Sequence, residues 1–387
     1  MRNFVYCVPT EVVFGENATD KTADLVQSHG GSRVFVVYGG GSAVKSGLLE
    51  KITADLETKD IIFEIFGGVQ PNPTLSHARL GVEKAIAMGA DFILAVGGGS
   101  VIDTAKAIAH GVANPQVDIW DFWLAKQPVT ATTPVGTVLT IPAAGSETSD
   151  SAVLTDTSIG FKKGLSTQFN RPVFAVMEPK LALSLPKYQV ACGITDIMMH
   201  TLDRYFNPIS DNELTDQFAE ALLRVLVAKG KKFMDDPTDV HAMSEIMWAG
   251  SVSHNGLTGL GGNKDFAPHQ FSQAIGGKFD KAHGACLASI WSSWARYVYP
   301  VNPMRFHQYA ENVWNMADGL AAIDATERFF LSLGMPVNLP QLVGKQDEAG
   351  IEDLALRCSF QKTRTIGTFK VLDFEDMKAV FSAANND

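Results

Sequence analysis

The stretch Phe92-Ile93-Leu94-Ala95-Val96-Gly97-Gly98-Gly99-Ser100-Val101-Ile102-Asp103-Thr104 reads as a strand, a glycine turn and the start of a helix. Five apolar residues in a row, with no polar alternation, suit a strand buried on both faces. The glycines let the chain reverse sharply, and Asp103 and Thr104 then fall in the first turn of a helical pattern that runs over Val101–His110. The same grammar appears earlier, where Arg33–Tyr38 runs into Gly39-Gly40-Gly41-Ser42.

Working outward, further strands are expected at Ile61–Phe66, Gly136–Ile141, Ala152–Thr155 and Val173–Met177, with a helix over Leu75–Met88. Alternation of strand and helix argues for a parallel, Rossmann-like sheet covered on both faces. Beyond about Pro186 strand signals fade. Ser210 and Glu213 have capping-box spacing, and Leu214, Phe218, Ala221, Leu222 and Val225 follow a helical period. Helices are also expected over Val190–Leu202, Ala242–His254, Gly284–Val298 and Pro303–Leu320. The chain therefore divides into an α/β domain, 1–184, and an all-helical domain, 185–387. A length of 387 residues suits two cores.

Composition excludes several classes of function. The net charge of −10 gives no electrostatic reason to bind nucleic acid or an anionic membrane. With 46% apolar and 19% charged residues the chain reads as soluble and cytoplasmic, and no apolar run approaches a spanning helix. Cys7, Cys192, Cys286 and Cys358 are far apart and form no C-x-x-C pair, which argues against a structural zinc site or a disulfide framework.

A glycine turn that opens a helix offers backbone amides and a partial positive charge to a phosphate. One triple glycine can be merely a tight turn; two at successive strand ends point to a dinucleotide. Neither meets G-x-G-x-x-G, because Val44 and Ile102 stand at the third glycine position, so the phosphate loop is a variant. The turn Tyr38–Ser42 contains no acid to take a ribose 2′-hydroxyl, and Lys45 follows it, which suits the 2′-phosphate of NADP.

In the second half, Asp196 and His200 are four apart in a helical context and share one helix face. His269 and His283 follow, separated by Gly276-Gly277 and so expected on different helices. An Asp and a His four apart are often only a core or surface pair. Together, one carboxylate and three imidazoles form an oxygen/nitrogen donor set suited to Fe2+ or Zn2+ with an open position. His110, His241, His254 and His307 have no comparable partner spacing and read as structural.

These residues in this order resemble the iron-containing alcohol dehydrogenases, in particular the branch of NADPH-dependent butanol dehydrogenases and aldehyde reductases. The likeness covers nearly the whole chain. It includes Pro71-Asn72-Pro73, the run from Gly97 to Lys106, Thr140-Ile141-Pro142-Ala143-Ala144-Gly145-Ser146-Glu147, Asp196 with His200, His269, and His283-Gly284. The resemblance implies a dehydroquinate synthase-like architecture, with the nicotinamide in the cleft between an α/β and an all-helical domain. It implies Asp196, His200, His269 and His283 as metal ligands. Gly39, Gly40, Ser42, Asn72, Gly97, Gly98, Gly99, Ser100 and Asp103 are implied as cofactor-binding, with Thr140, Ser149 and Lys162 near the ribose and phosphates.

One departure stands out. Family members usually carry a histidine four residues after the third ligand, and here that residue is Gln273. Glutamine can hold a water but does not titrate near neutral pH, so Gln273 is an altered proton-relay position. The expected activity is reduction of a small aldehyde to its alcohol with NADP(H). The alternatives are a glycerol or polyol dehydrogenase of the same fold, and a protein that binds metal and NADP but has lost turnover through Gln273. The resemblance also implies a homodimer, for which the short strand Glu11–Phe14 is a candidate exchanged edge.

Overall fold

The computed structural model describes residues 2–208 and 211–386. They form two compact units, one from Cys7 to Ser184 and one from Leu185 onward that also takes in the N-terminal residues through Tyr6.

The first unit is built on a six-stranded parallel sheet. Its strands are β1 (Glu11–Phe14), β2 (Arg33–Tyr38), β3 (Ile62–Phe66), β4 (Phe92–Gly97), β5 (Val135–Leu139) and, after a hairpin, β8 (Phe174–Met177), in the spatial order β1-β8-β5-β4-β2-β3. Every residue of β4, β5 and β8 is buried, as the uninterrupted apolar runs require. Val34, Val36, Leu94, Val96, Val138 and Val176 share one core cluster with Leu48, Ile52 and Leu56 of the Leu48–Glu57 helix. β1 pairs in parallel with β8 at the edge of the sheet.

The strand expected at Ala152–Thr155 exists but lies outside this sheet. β6 (Ser151–Asp156) and β7 (Phe161–Ser166) form a separate antiparallel hairpin. Both strands alternate between more and less covered residues along most of their length, so one face is wet, which a strand central in a parallel sheet does not allow. β7 carries too few apolar residues to be read as a strand from its sequence.

In the second unit the described elements are helical apart from the isolated bridge between Ile366 and Leu372. The Lys187–Tyr205 helix is its axis: most of its residues are buried, and it packs on the Glu213–Asp235, Val240–His254 and His283–Val298 helices. Ser210, half of the expected capping box, lies outside the described residues. The expected helix Pro303–Leu320 is broken. Pro303–Tyr309 is α-helical, Ala310–Trp314 widens to a π turn, and Asn315 then adopts a left-handed φ of 55°. Asp318 starts a new helix, Gly319–Ser332, by accepting from the Leu320 amide at 3.1 Å. No described helix is long and apolar enough to cross a membrane.

Sheet order sets the first site. The chain leaves β2 for β3 on one side and returns through β4 on the other, so the strand order reverses between β2 and β4. Ligands of open α/β sheets bind at such a reversal, beyond the carboxyl ends of the strands. Tyr38 pairs with Val96, so the two glycine turns stand side by side there. A Cβ on Gly97 would come within 2.5 Å of Val101 Cγ2, whereas one on Gly40 would meet nothing within 4 Å. Gly97→Ala should therefore lose about 1–3 kcal/mol of stability, and Gly40→Ala should stay within about 0.5 kcal/mol of the parent. Urea midpoints at constant slope test the pair.

Candidate functional site

The two glycine turns come first along the chain. The Gly99–Ala113 helix begins at Gly98 with no side-chain cap, leaving its first amides for a ligand. Thr140, whose amide donates to the Gly97 carbonyl at 3.1 Å, borders the same turn. In the exposed loop before the Leu75–Met88 helix, Asn72 accepts from Lys162 Nζ at 2.9 Å.

Asp103, on the helix that follows the turn, is tied to a neighbouring segment. Its carboxylate is turned inward, where Oδ1 accepts from Ser146 Oγ at 2.6 Å and Oδ2 from the Val153 amide at 2.9 Å. Lys106, on the same helix, is fully buried and donates to Ser146 Oγ and to the Ser149 and Ser151 carbonyls at 2.8–3.3 Å. Burial pushes its ammonium down to about 8, against the pull of Asp103. Asp103 and Lys106 thus tie the helix to the segment Ser146–Val153. Ser149 is buried too, its hydroxyl 3.4 Å from the Ser151 amide.

The second cluster is gathered by the Lys187–Tyr205 helix. Asp196, His200 and Asp203 fall at i, i+4 and i+7, one face of that helix. The Ala267–Phe279 helix brings His269. His283 is the first residue of the His283–Val298 helix. It reaches Asp196 because its neighbour is glycine: a Cβ on Gly284 would lie 2.2 Å from the Cys192 carbonyl oxygen.

The Nε2 atoms of His200, His269 and His283 stand 3.6, 3.7 and 3.5 Å from Asp196 Oδ1. These distances exceed a hydrogen bond. Asp196 Oδ1 and His269 Nε2 are both buried without a hydrogen-bond partner. Two donors each about 2.1 Å from a tetrahedral ion stand about 3.4 Å apart, so the spacing fits a divalent metal held among these atoms. Asp203 Oδ2 accepts from His269 Nδ1 at 2.5 Å and Ser272 Oγ lies 3.3 Å from His283 Nδ1, contacts that aim each Nε2 inward.

Electrostatics agree with a site built for a cation. Burial alone would raise Asp196, but the neighbouring imidazoles, His283 first, hold it down at about 2. Burial opposes charge on His269, yet Asp203 pushes it up to about 9. Burial drives His200 well below its ordinary value.

The structure thus brings Asp196, His200, His269 and His283 together. Gln273 lies one turn beyond His269 on the same helix and is exposed. The sequence reading missed three residues here. Asp203 was findable, since it continues the Asp196–His200 face by one turn. Asp265, whose carboxylate accepts from the Ala267, Thr368 and Phe369 amides at 2.7–2.9 Å, depends on a contact about a hundred residues away and left no local signal. His254, read as structural, stands against His200 with ring centroids 3.6 Å apart.

Comparison with known proteins follows the same division. Residues 9–179 match the family described as iron-containing alcohol dehydrogenase, and residues 190–385 match the C-terminal Fe-containing alcohol dehydrogenase family. The chain is 34% identical to an NADH-dependent butanol dehydrogenase A of Clostridium acetobutylicum, over 98% of this chain and 99% of that one. It is 33% identical to an NADPH-dependent aldehyde reductase of Escherichia coli, over 92% and 95%. A crystal structure of an NADH-dependent butanol dehydrogenase A from Thermotoga maritima superposes with a TM-score of 0.95 at 30% identity, covering 100% of this chain and 99% of that one.

Replacing His269 with Ala should abolish retention of Zn2+ or Fe2+. Asp203→Asn should weaken it about 10–100-fold by removing the carboxylate that orients the ring. Competition against a calibrated chelator measures both, and parental affinity in His269→Ala would remove that residue from the centre.

Proposed function

The chain belongs to the iron-containing alcohol dehydrogenase family, and on that premise we propose that it is a metal-dependent oxidoreductase moving a hydride between NADP(H) and a primary alcohol or aldehyde, with aldehyde reduction favoured. The observation that carries this reading is the convergence of three imidazole nitrogens on the unpartnered oxygen of Asp196. A family relative that reduces aldehydes and others that act on butanol point to the same substrate class.

In this reading Asp196, His200, His269 and His283 hold Fe2+ or Zn2+, and Asp203 fixes the tautomer of His269. When bound, the metal polarises the carbonyl oxygen and the reduced nicotinamide supplies the hydride. The glycine turns at Gly39–Ser42 and Gly97–Ser100 bind the pyrophosphate through backbone amides. Gln273 holds a water that returns the proton to the product alcohol, a role that needs a hydrogen bond but no titration at the side chain.

The preference for NADP(H) rests on the first turn. It contains no carboxylate, and Lys45 folds back over it, with Cε 3.4 Å and Nζ 4.0 Å from where a Cβ on Gly41 would stand. An ammonium there favours a 2′-phosphate. The relatives include both NADH- and NADPH-dependent enzymes, so the distinction belongs to this turn rather than to the family. A homodimer in the cytoplasm completes the proposal: β1 lies at the edge of the sheet, where a second chain can add to it.

The test is NADPH oxidation with butanal by anaerobically purified, Fe2+-loaded protein. Turnover should vanish with a chelator and return with metal, and glycerol should be a poor substrate in the reverse direction. Lys45→Ala should cut the ratio of kcat/KM for NADPH over NADH by about tenfold, the loss of one charge-assisted contact. Bound metal and NADPH without turnover of any small aldehyde would refute the enzyme reading.

A further inference from the structure

We propose that His254 is an additional ligand of this metal centre through Nε2, so that four imidazoles and one carboxylate surround the ion. The proposal rests on reading Asp196, His200, His269 and His283 as the metal site.

His254 is the last residue of the Val240–His254 helix, which packs on the Lys187–Tyr205 helix. Ligand atoms of Asp196, His200 and His254 lie within 4.8 Å of one another, just as those of Asp196, His269 and His283 do. Asp196 is common to both groups. The His254 ring is 6% exposed and tilted 45° against His200.

Its hydrogen bonds determine which nitrogen is available. His254 Nδ1 faces the Gly250 carbonyl at 3.1 Å and Ser253 Oγ at 2.7 Å. Ser253 Oγ spends its own proton on the same Gly250 carbonyl at 2.8 Å, so Nδ1 carries the imidazole proton and donates it. Nε2 is then left with its lone pair, buried and without a partner. A metal-bound histidine typically presents itself in this way, its second nitrogen donating to a backbone carbonyl.

His200 offers a contrast. Its Nδ1 faces Arg204 Nη1 at 3.2 Å rather than a backbone carbonyl. Of these two rings in contact, His254 is the one whose Nδ1 faces a backbone carbonyl. An unpartnered ring nitrogen alone would not suffice: His110 also has one, but no other metal-ligating side chains gather around it among the described residues. At His254 the orphaned nitrogen coincides with a carboxylate and a second imidazole.

Five protein donors leave one position on a six-coordinate ion. That suits Fe2+ with a single exchangeable site better than four-coordinate Zn2+.

The experiment uses full-length protein stripped of metal and loaded with Co2+. An imidazole bound through Nε2 with its proton on Nδ1, as at His254, carries an exchangeable N–H whose proton resonance is shifted far downfield and disappears in D2O. His254→Leu and His254→Gln should each lose one such signal, and His254→Leu should bind Co2+ about tenfold or more weakly, while thermal midpoints of the metal-free forms show that both variants fold. An unchanged set of signals and unchanged affinity in a folded variant would overturn the assignment of His254 alone. Failure of the parent protein to bind Co2+ at all would instead overturn the metal centre on which it rests.

Discussion

The helical unit is organised around the buried carboxylate of Asp196. A charge taken out of water is costly unless cations or dipoles surround it. Here the compensation comes from three elements at once: His200 from its own helix, His269 from a second and His283 from a third. Each must approach closely, and the sequence shows how. Gly284 removes the side chain that would strike the Cys192 carbonyl. Asp265 pins the start of the Ala267–Phe279 helix by accepting three backbone amides, and its own amide donates to the Asp203 carbonyl at 2.8 Å. Asp203 in turn holds His269. The orphaned oxygen of Asp196 is the centre of a converging set rather than a defect in packing.

The α/β unit is organised differently, around two glycine turns whose following helices have no side-chain cap. The reversal of strand order between β2 and β4 puts two glycine turns side by side. Bare glycine turns are floppy unless braced, and the bracing comes from behind. Val101 fills the space against Gly97, and Ile141 approaches the position of a Cβ on Gly98 at 3.0 Å. Asp103 and Lys106 clamp the helix to the segment Ser146–Val153. Within the run Gly97–Lys106, Asp103 and Lys106 thus serve rigidity behind the turn.

Much of this is legible in the sequence. The apolar runs of β2, β4 and β8 announce buried parallel strands, and the Leu75–Met88 helix has the expected ends because Thr74 caps it and Gly89 closes it with a φ of 69°. Asp196 and His200 declare themselves by a spacing of four. Other features were hidden for identifiable reasons. The strand expected at Ala152–Thr155 was counted with the parallel sheet because its true partner β7, where Lys162, Lys163 and Gly164 separate Phe161 from Leu165, looks like a loop. The long helix drawn through Pro303–Leu320 failed because an apolar period continues across Asn315 although the backbone does not.

What the sequence by itself determined was the kind of unit each half would form, the two glycine turns and the inventory of donors. These depend on periodicity and composition within a few residues, where local sterics and hydrogen bonding decide the outcome. Only the tertiary structure decided which donors meet. His254 sits at the end of its own helix with no partner at a telling spacing, yet its ring lies against His200. Asp103 is held by Ser146 and Val153, more than forty residues along the chain. Such outcomes are set by how whole helices pack. The packing minimises buried unpaired polarity over contacts far apart in the chain, and no short window of residues carries that information.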